Sequence, residues 1–190
     1  MFFNTALIAT TLAMATSALP NPAPSGTSTS TSSGASSSPS ASSGTSSGGG
    51  GGVQIINNLD TTVQLSSTGS EAGANQELTS GGGTYSAKWE ENSNGGGMSL
   101  KMSTSEGDNS VLQFEYTTSG DKLFWDLSCI DLNENSPFIT GGFSASSDDS
   151  SCKSVTCEAG DTNCQAAYQN PDDVATNSCS LDSTFTVTLG

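Results

Sequence analysis

Arginine and histidine are both missing from this 190-residue chain, and no charged side chain of either sign precedes Asp60. Without histidine, the Ser-His-Asp triad, the Cys-His pair and histidine-ligated zinc are excluded. Any catalysis must rest on carboxylates, or on Lys, Tyr, Ser or Cys. Basic residues are scarce as well: 4 stand against 19 acidic ones, a net charge of −15. Such a surface repels phosphate backbones, which argues against nucleic acid as a partner. It also lacks the basic patch that draws a chain to anionic membranes. No Asn-x-Ser/Thr sequon occurs, so N-glycosylation is not expected.

What is present divides the chain in three. Residues 1–18 hold the apolar stretch Ala6–Ala15 and then small residues ending at Ala18. That is the layout of a secretory signal peptide, cleaved near Ala15 or Ala18 and too short to span a membrane. Residues 19–52 are rich in Ser, Thr, Gly and Pro and close on the run Gly48–Gly52. They cannot bury enough apolar surface to offset the entropy of ordering, so a disordered stalk is predicted. It is either a plain linker or an O-glycosylated one. The last residues, Phe185–Gly190, alternate like a strand and carry no hydrophobic tail of the kind a lipid anchor needs. A released protein, or one held non-covalently at a wall, is the expectation.

Residues 53–190 read as one all-β domain. Val53–Asn57, Thr61–Leu65, Tyr85–Glu90, Met98–Ser103, Val111–Thr117, Lys122–Ile130 and Thr184–Leu189 are short runs broken by Gly, Asn, Asp and Ser. Turn-separated strands of this length imply a sandwich or barrel. Met98, Leu100 and Met102 alternate with Ser99, Lys101 and Ser103, a strand with one buried face. One helical turn is predicted within Asp161–Ala167. Five cysteines lie at 129, 152, 157, 164 and 179. In a secreted chain they pair, and the odd count leaves one over. The four from Cys152 onward allow three pairings. They lack the Cys-x-x-Cys knuckle of a zinc site, and no metal or cofactor is expected.

Several segments, taken together, resemble the small fungal thaumatin-like proteins. They are Leu78-Thr79-Ser80-Gly81, then Tyr85 to Trp89, then Asn94-Gly95-Gly96-Gly97. Glu115-Tyr116 follows, and then Phe124-Trp125-Asp126-Leu127-Ser128-Cys129-Ile130-Asp131. The tail adds Cys164-Gln165-Ala166-Ala167-Tyr168, Pro171-Asp172-Asp173, Thr176, Cys179 and the closing strand. The resemblance implies a disulfide-stapled β-sandwich of about ten strands, without the large second domain of plant members. It implies the pairs Cys152–Cys179 and Cys157–Cys164, with Cys129 left as a free thiol.

The same resemblance implies an acidic cleft. Glu115 takes the family's Glu place, Asp126 and Asp131 two Asp places, and Asp172 or Asp173 the third. The family's Arg has no counterpart, and its place falls at Lys101 or Met102. Paired carboxylates are what glycoside hydrolysis needs, one protonated and one ionised. Crowded carboxylates raise one another's pKa. Asp126 and Asp131 are five residues apart, so on a straight strand they point to opposite faces. They share a cleft only if the chain bends after Ser128. Trp89, Tyr85, Trp125 and Tyr116 are candidate stacking faces for sugar rings, with Trp125 and Phe124 favoured as core. Asp148-Asp149 and Asp172-Asp173 are read as loop acids, without the spacing of a calcium loop. The function implied is binding at a cell wall or host surface, to β-1,3-glucan or to a host protein, in an effector-like role and as a monomer. A weak endo-β-1,3-glucanase using Glu115 with Asp126 or Asp131 is one alternative. A structural wall protein is another.

Overall fold

A computed structural model of the chain describes residues 50–69, 75–92, 95–105 and 109–190. The predicted leader, and the predicted stalk up to residue 49, lie outside the described residues. The described residues form a two-sheet β-sandwich. Its strands are β1 Gly52–Asn57, β2 Val63–Thr68, β3 Gln76–Leu78, β4 Gly83–Lys88, β5 Met98–Ser103, β6 Leu112–Ser119 and β7 Lys122–Ser128. After the helix α1, Pro137–Gly141, come β8 Phe143–Ser147, β9 Val155–Cys157, β10 Asn177–Ser180 and β11 Thr184–Leu189.

Five strands form one sheet in the order β4-β1-β11-β8-β9, and six form the other in the order β10-β7-β6-β5-β2-β3. Neighbours are antiparallel except β1 and β11, which run parallel with Ile55 opposite Val187. The first and last strands therefore sit side by side inside one sheet.

Alternation decides which side chains meet between the sheets. Leu112, Phe114 and Tyr116 of β6 and Leu123, Trp125 and Leu127 of β7 are buried. Val53, Ile55, Phe185 and Val187 meet them from the other sheet. Trp125 and Phe185 lie 4.6 Å apart between ring centroids, and Phe114 and Trp125 5.9 Å apart. These large rings supply much of the burial that a sandwich with so few apolar residues needs. The β6–β7 hairpin closes through Gly120 and Asp121, with Gly120 at φ 61°. Two-residue hairpin loops demand that left-handed conformation, which glycine adopts without strain.

Two disulfides staple the tail. Cys152, after β8, bonds Cys179 of β10, and so ties the two sheets together. Cys157, at the end of β9, bonds Cys164 in the long loop that follows.

Three expectations need correction. Residues 161–167 form turns and no helix. Helix occurs instead at α1, where Ser136 caps the Phe138 N–H (3.3 Å) and Pro137 opens the first turn. The Ser-Pro pair before Phe138 and Ile139 is the signal that would have found it. Phe124 is not core: it is 42% exposed. Trp125 points inward, so its neighbour on the strand must point out. Tyr116 is buried and presents no face to a sugar, while Trp125 is core as expected. Tyr85 and Trp89 remain half-buried.

Candidate functional site

The outer face of the six-stranded sheet carries the polar half of each alternation. Register places Ser99 of β5 opposite Glu115 of β6, and Glu115 opposite Asp126 of β7. The next row holds Lys101, Gln113 and Ser128. The row on the other side holds Thr117 and Phe124, continued by Ser178 of β10. Side chains directly opposite on one face have Cβ atoms about 4.5–5.5 Å apart, so Glu115 and Asp126 are immediate neighbours.

Asp131 joins them because the chain bends where β7 stops. The Cys129 N–H is donated to the Tyr168 carbonyl (2.8 Å), and the Leu132 N–H to the Cys129 carbonyl (2.9 Å). The Asp131 carbonyl then accepts from the Val111 N–H (2.9 Å), just before β6. That return brings the Asp131 charge within range of Glu115. Lys101 acts on Glu115 as well.

Asp173 is tied into its own loop. The Asp173 carboxylate accepts from the Gln169 N–H (2.7 Å) and the Asn170 N–H (2.8 Å). It holds its own loop, and those bonds keep its pKa below the usual carboxylate range. Asp148 accepts from the Thr184 N–H at the start of β11 (2.8 Å), and Asp149 caps its own turn by accepting from the Ser151 N–H (2.9 Å). Asp149 lies beside Cys152 and Cys179, whose sulfurs are bonded to each other and so are not thiolate ligands.

Burial sets the electrostatics of the row. Asp126 is pushed up to about 7, first by desolvation and then by the Glu115 charge. Its Oδ1 is buried without a hydrogen-bond partner. Glu115 is raised too, by burial and then by Asp131, while the Lys101 ammonium opposes the rise. In weakly acidic surroundings the pair therefore keeps a proton, centred on Asp126. A protonated carboxyl donates one hydrogen bond and a carboxylate accepts several, so the row offers both to a polyhydroxylated ligand.

A folded-state pKa above the ordinary 3.8 means that folding opposes ionisation of Asp126. The penalty is absent below about pH 4, grows between pH 4 and 7, and is complete above pH 7. With discounting for the exposed part of the side chain it amounts to about 1–2 kcal/mol. Asp126→Asn should therefore unfold at higher urea than the parent at pH 8 and at the same urea at pH 3.5. Equal midpoints at both pH values would contradict the buried, proton-holding environment.

Cys129 is free and buried. Burial pushes its thiol up to about 11, a Gln169 hydrogen bond opposes this, and Asp161 adds to it. The thiolate is the reactive form, so the folded chain should resist alkylation at pH 8 and run as a monomer on non-reducing gels. One thiol per chain should label in denaturant. Rapid labelling without denaturant would show that the sulfur is open to solvent.

Residues 41–190 match the family described as Bys1, Blastomyces yeast-phase-specific protein. The chain belongs to the Bys1 family. This Bys1 chain is 53% identical over 91 residues to the secreted thaumatin-like protein calA of Emericella nidulans, across 48% of this chain and 53% of that one. It is 43% identical over 91 residues to the antigenic thaumatin-like protein of Arthroderma benhamiae, across 47% of this chain and 45% of that one. The Bys1 chain thus spans about half the length of these curated relatives. Among solved structures it is similar to the protein elicitor MoHrip2 from Magnaporthe oryzae. The TM-score is 0.61 and the identity 24%, over 73% of this chain and 98% of that one. That likeness is one of fold.

Proposed function

We propose that this Bys1-family protein is extracellular and binds a wall polysaccharide of the β-1,3-glucan class on the outer face of the six-stranded sheet, without cleaving it. The observation that carries the reading is Phe124. Its ring is exposed on the same strand face as Asp126, one row from the Glu115–Asp126 pair. An open aromatic ring beside hydrogen-bonding carboxyls is the chemistry that holds a pyranose, with the ring against the apolar sugar face and the carboxyls on its hydroxyls. Two disulfides and the similarity to a relative named as secreted support an extracellular site of action. In this reading residues 1–18 direct export, and residues 19–52 space the domain from whatever holds the chain.

Retention on insoluble β-1,3-glucan is the test. Phe124→Ala and Glu115→Gln should each weaken retention at least tenfold, with no reducing ends released from soluble glucan. Retention that ignores both variants would remove the outer face from the reading.

The Asp126 proton favours a second reading, a weak endo-β-1,3-glucanase. A carboxyl protonated to about pH 7 beside Glu115 has the general-acid half of a glycosidase pair. Release of reducing ends, abolished by Glu115→Gln while retention survives, would establish it in place of binding alone. A host protein, in the manner of an elicitor, takes the place of glucan if the chain is not retained at all.

A further inference from the structure

The five-stranded sheet ends on β4, and no strand among the described residues pairs with its outer side. The other sheet margins are blunted by length. β3 and β9 have three residues each and β10 four, against six in β4. Short edge strands are one way that sheets avoid unwanted pairing, whereas a longer one is an open template. β4 contains no proline, and its single charged residue, Lys88, stands at its end.

The free hydrogen-bonding groups of β4 follow from its pairing with β1. The Trp89 N–H is donated to the Gly51 carbonyl (3.4 Å), and Ala87 and Tyr85 lie opposite Val53 and Ile55. Antiparallel pairing alternates, so residues 85, 87 and 89 turn their backbone groups towards β1. Thr84, Ser86 and Lys88 turn theirs away from it. Their side chains are exposed as well.

A cavity of about 220 Å³ lies where this edge ends, lined by Lys88, Trp89, Glu91, Thr118, Leu181 and Asp182. The Trp89 indole N–H is donated to the Ser183 carbonyl (3.0 Å), and its ring packs on Tyr116 with centroids 4.8 Å apart. The indole is therefore held in place while still lining the cavity. Glu91 and Asp182 outnumber Lys88 there. A fixed indole with two carboxylates suits a lysine or arginine side chain. The net charge of −15 draws a basic partner and opposes a second copy of this chain.

We propose that β4 is a docking edge for an extended, basic segment of a partner protein, which adds to the sheet as a strand and places a Lys or Arg beside Trp89, Glu91 and Asp182. The edge belongs to the other sheet from Glu115, Asp126 and Phe124, so it stands or falls separately from the sugar reading.

Random heptapeptides displayed on phage and selected on the full-length secreted chain test this. The enriched peptides should alternate β-branched residues and carry a Lys or Arg. A synthetic copy of the leading peptide should slow amide exchange at Thr84, Ser86 and Lys88 and leave Tyr85 and Ala87 unchanged. Ser86→Pro removes one outward N–H at an edge position, where proline is tolerated, and should weaken binding at least tenfold. The double variant Glu91→Gln, Asp182→Asn changes only exposed side chains and should weaken it at least fivefold. No enrichment, or enriched peptides without a basic residue, would overturn the proposal. So would affinity unchanged by the double variant, or a concentration-dependent dimer that protects the same three amides. The last outcome would assign the edge to a second copy.

Discussion

Phe114→Ala should destabilise the domain by about 3–5 kcal/mol, read as a lower urea midpoint with an unchanged slope. Phe114 is fully buried on β6, a central strand of the six-stranded sheet. Its ring centroid lies 5.9 Å from Trp125, 6.1 Å from Phe185, 6.3 Å from Trp89 and 6.4 Å from Tyr116. Truncation removes the transfer free energy of the ring and also the contacts of four aromatic neighbours. Those neighbours are rigid and come from both sheets, so the space cannot close. Domains of this kind have about 5–15 kcal/mol in total, so the variant sits near the limit of folding. Phe114→Leu keeps most of the volume and should lose much less. Similar losses for both variants would mean that the aromatic cluster is not the centre of the core.

Removal of the Cys152–Cys179 bridge is the second large effect. The double variant Cys152→Ser, Cys179→Ser should lose about 3–4 kcal/mol, because the bridge restrains a long segment of the unfolded chain. The sequence separation is 27 residues, against 7 for Cys157–Cys164. Loop-closure entropy grows with the logarithm of length, so removing the shorter bridge should cost about 2–3 kcal/mol. Both cysteines are replaced together, since a single replacement would leave a new thiol able to exchange with the other pair. The longer bridge also joins the loop after β8 to β10, and so fastens the outer parts of two different sheets. Thermal melts of the two double variants would order them. A larger loss from the 157–164 pair would show that the chain between Cys152 and Cys179 is already restrained when unfolded.

The strands were the most legible part of the sequence. Met98, Leu100 and Met102 state their own orientation, and β5 is buried on that face. The runs on either side of Gly120 were legible as strands, and they pair as the β6–β7 hairpin. Phe124 was misread because it is large and apolar, and composition alone places such a residue inside. Two adjacent residues on a strand cannot both face the core, and Trp125 fills that place. α1 was missed because five residues carry too little periodicity to register, although the Ser136-Pro137 start was visible. The stretch 161–167 carries no periodic pattern that would tell turns from a helical turn. What shapes that stretch is local bonding, including the Asp161 carboxylate accepting from the Asn163 N–H (3.0 Å).

The acidic group was legible only in part. Glu115, Asp126 and Asp131 could be named from the resemblance, and Lys101 or Met102 as the place of the family's Arg. Their grouping depends on registers and on a bend that no single segment encodes. The resemblance gave Asp172 or Asp173 as the third Asp place, and Asp173 accepts from two backbone N–H groups of its own loop.

The order of residues by itself determined the charge, the absence of histidine chemistry, the strand alternation and the number of sulfurs. All of these are counts or local periodicities. Only tertiary structure decided that Glu115 faces Asp126 across two strands, and that β4 ends its sheet among the described residues. Both follow from how distant strands pair, and pairing is chosen by the burial of the whole core, not by any one strand.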